Sequence, residues 1–194
     1  LATPTSHIWF LRSIPSKNGL VLDLSMQNVE KVVYFANFII TDVDKEVRNA
    51  TYEQLKSEYK SKRKQIQNEA ERQLAQSEGG ESKKSVKTIE DERDRKVEAL
   101  DGEYVEAEKQ IKSLEPMRLL TEHEYQELSL RYGHIFDAAI GAEAMKLLLK
   151  RIDLPAEIAN FEAELIGAPE SKKSRIMRRL QLLKSFMRRN IKPE

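Results

Sequence analysis

The residue types with the clearest chemical potential are concentrated near the end of this chain. Nine basic residues stand from Glu170 to Lys192, and Glu170 is the single acid in that stretch. A local excess of positive charge forms a surface that attracts phosphate groups, as nucleic-acid-binding proteins do. An ordinary solvated helix face has the same composition, and the pattern alone weighs equally for the two interpretations.

The same stretch has the residue spacing of a helix, which we expect at residues 171–189. Four apolar residues at steps of four, three and four predict a buried stripe: Ile176, Leu180, Leu183 and Met187. Lys172, Arg175 and Arg179 share another face of this helix. The stripe would anchor the helix, and the basic face beside it would be available to phosphates.

Signals of catalysis and of metal binding are missing from the sequence. The chain has no cysteine, which removes disulfides, thiolate metal sites and a cysteine nucleophile. The three histidines, His7, His123 and His134, stand far apart and form no zinc-binding pair. We find no glycine-rich phosphate loop, no nucleophile elbow and no aspartate pair spaced for two magnesium ions. The pattern therefore predicts a binding module without an active site.

Length and composition predict one ordinary domain with room for an extension. The 194 residues are 40% hydrophobic, and 33 basic residues nearly balance 32 acidic ones. The longest apolar stretches, residues 19–24 and 32–40, are far shorter than the roughly 20 residues of a membrane span. The chain opens with leucine and without a signal peptide, so we expect a soluble, intracellular protein that lacks its true N-terminus.

The beginning of the chain, residues 1–43, is typical of compact α/β structure. Aromatic and β-branched residues predict strands at residues 7–12 and 34–41. A proline and an Asn-Gly pair at residues 14–19 predict a tight loop. A serine in N-cap position, followed by apolar residues at helical spacing, predicts a short helix at residues 25–33.

Residues 44–116 are highly charged and almost free of glycine and proline. Apolar residues at steps of three and four predict two helices: Tyr52, Leu55, Tyr59 and Ile66 in the first, with Lys62 in the seam position between the last two, and Val97, Leu100, Tyr104, Ala107, Ile111 and Leu114 in the second. Gly79 and Gly80 stand between the helices, and Pro116 ends the second one. We expect an antiparallel helical hairpin, a coiled coil inserted into the globular part. A solvated, partly disordered stretch is the alternative, because charged residues interrupt the seam.

After residue 116 the pattern is that of globular helices. Thr121 and Glu124 form a capping box, which predicts the start of a helix. Two more helices are expected at residues 142–151 and 155–166, before the basic helix. The expected fold class is mainly α with a small α+β part. Its three segments are residues 1–43, 44–116 and 117–194.

Several sequence blocks on both sides of the expected hairpin resemble one family. Residues 7–23, HIWFLRSIPSKNGLVLD, are similar to HIWFLKSLPSRIGLLLD of the bacterial RNA polymerase β′ subunits. Residues 29–35, VEKVVYF, resemble the IERVLYF that follows it, and residues 120–125, LTEHEY, resemble LTEEEY. Residues 141–148 are similar to the GAEAIxxLL block, and residues 178–194 to the KRLKLLExFxxSxNKPEW stretch. The match is long and rich in rare residue types, whereas the hairpin has no close motif.

This resemblance implies a place in a transcribing enzyme. In the family, the stretch lies between a zinc ribbon and the hairpin that docks the σ factor, and it forms part of the clamp that closes over DNA. Members of the family are subunits of DNA-directed RNA polymerase, which is a nucleotidyltransferase. The aspartates that bind its magnesium lie far downstream of this stretch in the full subunit. The resemblance therefore implies no catalytic residue and no cofactor in this chain, with Mg and Zn in the full subunit. The implied partners are downstream duplex DNA, the α, β and ω subunits and σ, in the cytoplasm with the nucleoid.

The resemblance also places the basic helix beside the downstream DNA channel, which suggests its phosphate ligands. The expected DNA-binding residues are Lys172, Lys173, Arg175, Arg178 and Arg179, with Arg12 and Lys17 as additional candidates. Such contacts would not depend on base sequence. A second class of protein is an alternative: a free-standing coiled-coil interaction protein with a basic nucleic-acid-binding helix.

Overall fold

The structure, a computed structural model, describes residues 5, 16–77 and 83–188. Within these residues the chain forms eight helices and one three-stranded sheet, which confirms the expected class, mainly α with a small α+β part. None of these helices is long and apolar enough to cross a membrane. The strand expected at residues 7–12 and the glycine turn of the hairpin lie outside the described residues.

The chain divides into two compact units. The first contains the residues up to 42, residues 116–131 and the residues from 136 onward, so both ends of the chain build it together. The second contains residues 43–115 with residues 132–135. The first unit carries the basic helix, and the second carries the two long charged helices.

The first unit opens with two short helices, α1 (Lys17–Leu22) and α2 (Met26–Val33). Ser25 caps α2 as expected, since its hydroxyl accepts a hydrogen bond from the Asn28 backbone N–H at 3.2 Å. The valines of α2 face the interior, whereas Met26, expected on the same apolar face, is 40% exposed. The apolar face of α2 is therefore made of valines.

The tight loop expected at residues 14–19 is wrong in its second half, because Lys17 begins α1 there. Ser16 is the N-cap, and its hydroxyl accepts a hydrogen bond from the Gly19 backbone N–H at 3.3 Å. The glycine is needed for close packing, since an added Cβ would lie 2.7 Å from the carbonyl oxygen of Leu24. The turn-forming residue types therefore mark a helix cap and a close contact between Gly19 and the Leu24 backbone.

The sheet has three short strands, β1 (Phe38–Val43), β2 (Leu119–Leu120) and β3 (Phe136–Ala139), in the order β2-β1-β3. β1 pairs antiparallel with β2, and Phe38 stands opposite Leu120. The two outer strands were not predicted, because two to four residues are too few to show a period of two. They join sequence-distant segments into one sheet.

The strand expected at residues 34–41 begins only at its fifth residue, because residues 34–37 form a turn. Phe35 has a φ of 62°, which no strand residue adopts. Two backbone N–H groups of the turn donate to the carbonyl oxygen of Lys31, at 2.8 and 3.1 Å. The Phe35 ring lies against Gly141, where an added Cβ would be 2.8 Å from the ring. The turn therefore places the Phe35 ring at a position that only a glycine at 141 leaves free.

The remaining helices of the first unit start close to where the sequence predicts. They are α5 (Glu122–Tyr132), α6 (Gly141–Arg151), α7 (Leu154–Gly167) and α8 (Glu170–Arg188). The capping box is confirmed, since the Glu124 backbone N–H donates to the Thr121 hydroxyl at 3.3 Å, and the Glu124 carboxylate accepts from the Thr121 backbone N–H at 2.9 Å. Local caps therefore mark the starts of α5 and of α7, where the Asp153 carboxylate accepts from the Ala156 backbone N–H at 3.3 Å, whereas Ile140 before α6 makes no side-chain cap.

One apolar core unites the two ends of the chain. Its buried members are Val21, Leu22, Val29, Val32, Val33, Ile39, Ala144, Met145, Leu148, Leu149, Ile158, Ile176, Leu180 and Leu183. They come from α1, α2, β1, α6, α7 and α8. Burial of this apolar surface is the main driving force for folding of the unit, and it fixes the basic helix beside the start of the chain.

The second unit contains two long helices, α3 (Lys45–Ser77) and α4 (Lys83–Lys112), as the periodicity predicts. Their seam is only partly apolar. Ala70 is buried, whereas Lys62, which falls in the expected seam, is exposed. The imperfect seam and the charged surface indicate that polar contacts also contribute to holding these helices together.

Two tyrosines of α3 make these polar contacts with α4, and they show that the helices run antiparallel. The Tyr59 hydroxyl donates to the Asp101 carboxylate at 2.7 Å. The Tyr52 hydroxyl donates to the Glu108 carboxylate at 2.8 Å. Hydrogen bonds from Lys112 and Tyr52 lower the pKa of the Glu108 carboxyl group. The carboxylate is therefore held in its charged form between the two helices.

We expect the second unit to be dispensable for the folding of the first. Replacing residues 45–114 with a short Gly-Ser linker should leave a cooperatively folded chain, because the core of the first unit has no member in this range. Thermal unfolding followed by circular dichroism measures this. The control, Ile39→Ala, should lower the free energy of unfolding by about 2–5 kcal/mol. A deletion variant that melts without a cooperative transition would contradict the expectation.

The capping box gives the first unit a specific pH dependence. The hydrogen bonds from the Thr121 backbone N–H and hydroxyl lower the pKa of Glu124. Because the pKa is lower in the folded state, the stabilisation is complete above the ordinary glutamate pKa of about 4.3, and it is lost as the pH falls through the lowered value.

Glu124→Gln should therefore destabilise the chain by up to about 1 kcal/mol at pH 7, since the carboxylate is partly exposed, and the difference should be smaller at pH 3, below the ordinary glutamate pKa. The free energy of unfolding at both pH values tests this. Glu122→Gln, an exposed glutamate of the same turn, is the matched control and should have little effect. An equal loss at both pH values would contradict the role of the carboxylate charge.

Candidate nucleic-acid interface

The basic helix α8 is anchored by the apolar stripe that its spacing predicts. Ile176, Leu180 and Leu183 are buried in the core of the first unit. Met187, the fourth expected member, is 49% exposed, and in that turn Phe186 packs against the core instead. The anchored turns leave the other sides of the helix to its charged residues.

Arg179 was expected on an available basic face, and the structure places it inside the first unit. Its side chain is only 11% exposed, and the guanidinium lies 4.1 Å from the centroid of the Phe161 ring. Its Nη2 donates to the carbonyl oxygen of Val21 at 2.9 Å. Burial of the guanidinium lowers the pKa of Arg179, while Asp23 and Glu157 raise it. Arginine remains charged in any case, so these two carboxylates balance a partly buried charge.

Asp23 is the carboxylate that α8 shares with α1. It follows α1 as the C-cap, in a left-handed conformation with φ 58° and ψ 30°. Its Oδ2 lies 3.3 Å from Nη1 of Arg179, and its Oδ1 accepts a hydrogen bond from Nη2 of Arg175 at 2.6 Å. Two of the five expected phosphate ligands in α8 are therefore already paired with one carboxylate.

Two further lysines of α8 also have carboxylate partners. Lys173 lies 2.6 Å from the Glu170 carboxylate, and Lys184 lies 2.6 Å from the Glu162 carboxylate of α7. Exposed ion pairs of this kind contribute little to stability, but they reduce the charge that each lysine presents to a ligand.

Three basic residues of α8 have no carboxylate partner within the described residues: Lys172, Arg178 and Arg188. All three are exposed. Nη2 of Arg178 makes one long hydrogen bond to the Ser174 hydroxyl, at 3.4 Å. The positive surface of α8 is therefore smaller than the sequence suggests, and it is distributed differently around the helix.

The two additional candidates lie near the start of the chain. Lys17 is exposed in the first turn of α1, and Arg12 lies outside the described residues. The expected contacts of all seven residues with DNA stay predictions. The acidic partners Asp23, Glu157 and Glu162 were not identified from the sequence. The two pairs that Asp23 makes join residues more than 150 positions apart, and no local spacing marks the pairs that Glu157 and Glu162 make with α8.

The described residues also bear on metal binding. No three histidine or acidic side chains among residues 16–77 and 83–188 come together as a metal site. The chain has no cysteine. Because a zinc ribbon uses cysteine thiolates as ligands, the residues present do not fit one.

Comparison with known proteins identifies one group of relatives. No protein-family model matches the chain. A protein of Dehalococcoides mccartyi is 32% identical over 195 aligned residues, which cover 100% of this chain and 15% of the relative. Proteins of Salinispora tropica and Mycobacteroides abscessus are 28% and 30% identical, over 100% and 96% of this chain and 16% of each relative. All three are named DNA-directed RNA polymerase subunit beta′.

The similarity extends over the whole chain, including the hairpin that has no recognisable motif. The chain spans about 15% of the length of the curated relatives it matches. The chain therefore belongs to the β′ subunit family of bacterial DNA-directed RNA polymerases, and it corresponds to one segment of such a subunit.

Proposed function

We propose that this chain works in transcription, as the segment of a polymerase β′ subunit that grips DNA while RNA is made. The observation that carries the proposal is the similarity, over the full length of the chain, to subunits named DNA-directed RNA polymerase subunit beta′. The basic helix α8 supports the DNA-gripping part, because its exposed cations are suited to a phosphate backbone. No observation favours the free-standing coiled-coil alternative.

The proposed action of the chain is electrostatic. Cations on α8 displace the counterions that surround DNA, so binding gains free energy from their release and weakens as salt rises. Phosphate contacts of this kind hold the duplex in register without reading its bases. The nucleotidyl transfer itself would use metal ions held by other parts of the subunit.

The proposed arrangement follows the order of segments along the chain. Residues 1–43 and 117–194 would form the clamp segments, and residues 44–116 the inserted helical hairpin. The partners we propose are downstream duplex DNA, σ, and the α, β and ω subunits of a cytoplasmic enzyme. Magnesium and zinc would belong to the remainder of the subunit.

The proposal is tested in a polymerase assembled with the full-length subunit. Five basic residues are changed to glutamine together, with Arg179 retained for folding: Lys172, Lys173, Arg175, Arg178 and Arg188. Because cations that contact phosphates release counterions, promoter complexes should dissociate faster and their lifetimes should depend less on salt.

The matched control changes five exposed basic residues of the hairpin to glutamine: Lys60, Lys62, Lys64, Arg72 and Lys87. It removes the same net charge and should leave the salt dependence close to that of the parent enzyme. Equal lifetimes for the α8 variant and the parent at low and high salt would contradict DNA gripping by α8.

A second prediction concerns catalysis. The 194-residue chain alone should not extend an RNA primer, because the catalytic aspartates implied by the family lie elsewhere in the subunit. A primer-extension assay with the purified chain, beside an assembled polymerase as positive control, measures this. Reproducible nucleotide incorporation by the chain alone would contradict the proposed division of labour.

A further inference from the structure

We infer that Arg178 and Arg188 are the arginines of α8 that contact DNA phosphates, whereas Arg175 and Arg179 hold α8 against α1. This inference rests on the proposed function and assigns its residues. It reverses the expectation from sequence spacing, which placed Arg175 and Arg179 on the DNA-binding face.

Arg178 and Arg188 lie on one exposed face of α8. Six residues follow one another at steps of three and four and therefore share one face: Ser171, Ser174, Arg178, Gln181, Ser185 and Arg188. We call them the outer face of α8. All six are exposed, and none of them is acidic. The outer face thus presents two cations to solvent with no carboxylate among them.

The spacing of these two cations along α8 suits a DNA backbone. Arg178 and Arg188 are ten residues apart, which is about 15 Å along an α-helix. Successive nucleotides of a DNA strand rise by about 3.4 Å, so the two arginines are placed for non-adjacent phosphates of one backbone. Gln181 lies between them, and an amide side chain is also a donor to phosphate oxygens.

Arg179, in contrast, is not available to a ligand. Its guanidinium lies over the Phe161 ring, donates to the Val21 carbonyl and pairs with Asp23. Its Nε is buried without a hydrogen-bond partner, so the group is enclosed by protein. A phosphate could reach Arg179 only after α8 had left α1.

The Arg175 side chain is 66% exposed and could turn toward solvent. Its Nη2 donates to Asp23 at 2.6 Å, a short charge-assisted hydrogen bond. A phosphate would have to replace this carboxylate and would then lie close to its negative charge. Arg178, whose contact with Ser174 is long and neutral, has no such competitor among residues 16–77 and 83–188.

The inference is tested with single variants of equal charge change in the polymerase assembled with the full-length subunit: Arg178→Gln, Arg188→Gln and Arg175→Gln. Promoter complexes formed without nucleotides contain no RNA, so their affinity reports DNA contacts alone. The slope of log affinity against log salt should fall by about 0.9 for each lost phosphate contact. We expect the lower slope in Arg178→Gln and in Arg188→Gln. In Arg175→Gln we expect the slope of the parent enzyme.

Amide hydrogen exchange in the same enzymes reports the docking of α8. Arg179→Lys keeps the charge but loses the flat guanidinium, so we expect faster exchange in α8 and an unchanged salt slope. Parental exchange in Arg179→Lys would overturn the docking role.

The outcomes separate the inference from the proposed function. A slope that falls in Arg175→Gln, alone or together with the other two variants, would overturn the division of α8 and leave the DNA-gripping function standing. Parental slopes in all three single variants and in the fivefold variant would overturn both.

Discussion

The placement of the basic helix α8 depends on the carboxylate of Asp23. This carboxylate accepts a hydrogen bond from Arg175 and lies 3.3 Å from the guanidinium of Arg179. Asp23 is available for this because it ends α1 in a left-handed conformation. The same end of α1 offers the Val21 carbonyl to Arg179. The last carbonyl groups of a helix have no partners within the helix, and a guanidinium can donate hydrogen bonds to them. Its positive charge is also stabilised there by the negative end of the helix dipole. The contact joins residues that are more than 150 positions apart in the chain.

This contact explains how one helix can be both strongly basic and firmly packed. The cations that face α1 and α7 are balanced by carboxylates there, so the core can close around the apolar stripe without an uncompensated buried charge. Within the described part of the chain, Lys172, Arg178 and Arg188 have no such partners and keep their full charge for a ligand. The division follows from the helical period, since Arg178 lies next to Arg179 in sequence and is turned about 100° away from it around the axis. Neighbouring arginines therefore have different surroundings and, in the proposed function, different tasks.

Features set by local interactions could be predicted from the sequence, and features set by distant partners could not. The helices follow from periodicity and from caps such as Ser25 and the Thr121–Glu124 box, each of which acts within one turn. The turn at Phe35 depends on Gly141, and the burial of Arg179 depends on Phe161 and Asp23, none of which stands near it in sequence. The family was identifiable from the rare residue types of the flanking blocks. The residues that we propose to contact DNA could not be selected from the sequence, because charge alone does not distinguish a paired arginine from an available one.

The most direct test is a structure of the assembled polymerase on a DNA scaffold, determined by electron cryomicroscopy at a resolution that shows side chains. The measurement is the distance from each guanidinium of α8 to the nearest phosphate oxygen. We expect the guanidinium of Arg178 at hydrogen-bond distance from a phosphate oxygen, about 3 Å. Arg175 and Arg179 should still be paired with Asp23. A structure in which Arg175 has left Asp23 for a phosphate while Arg178 points to solvent would contradict this expectation.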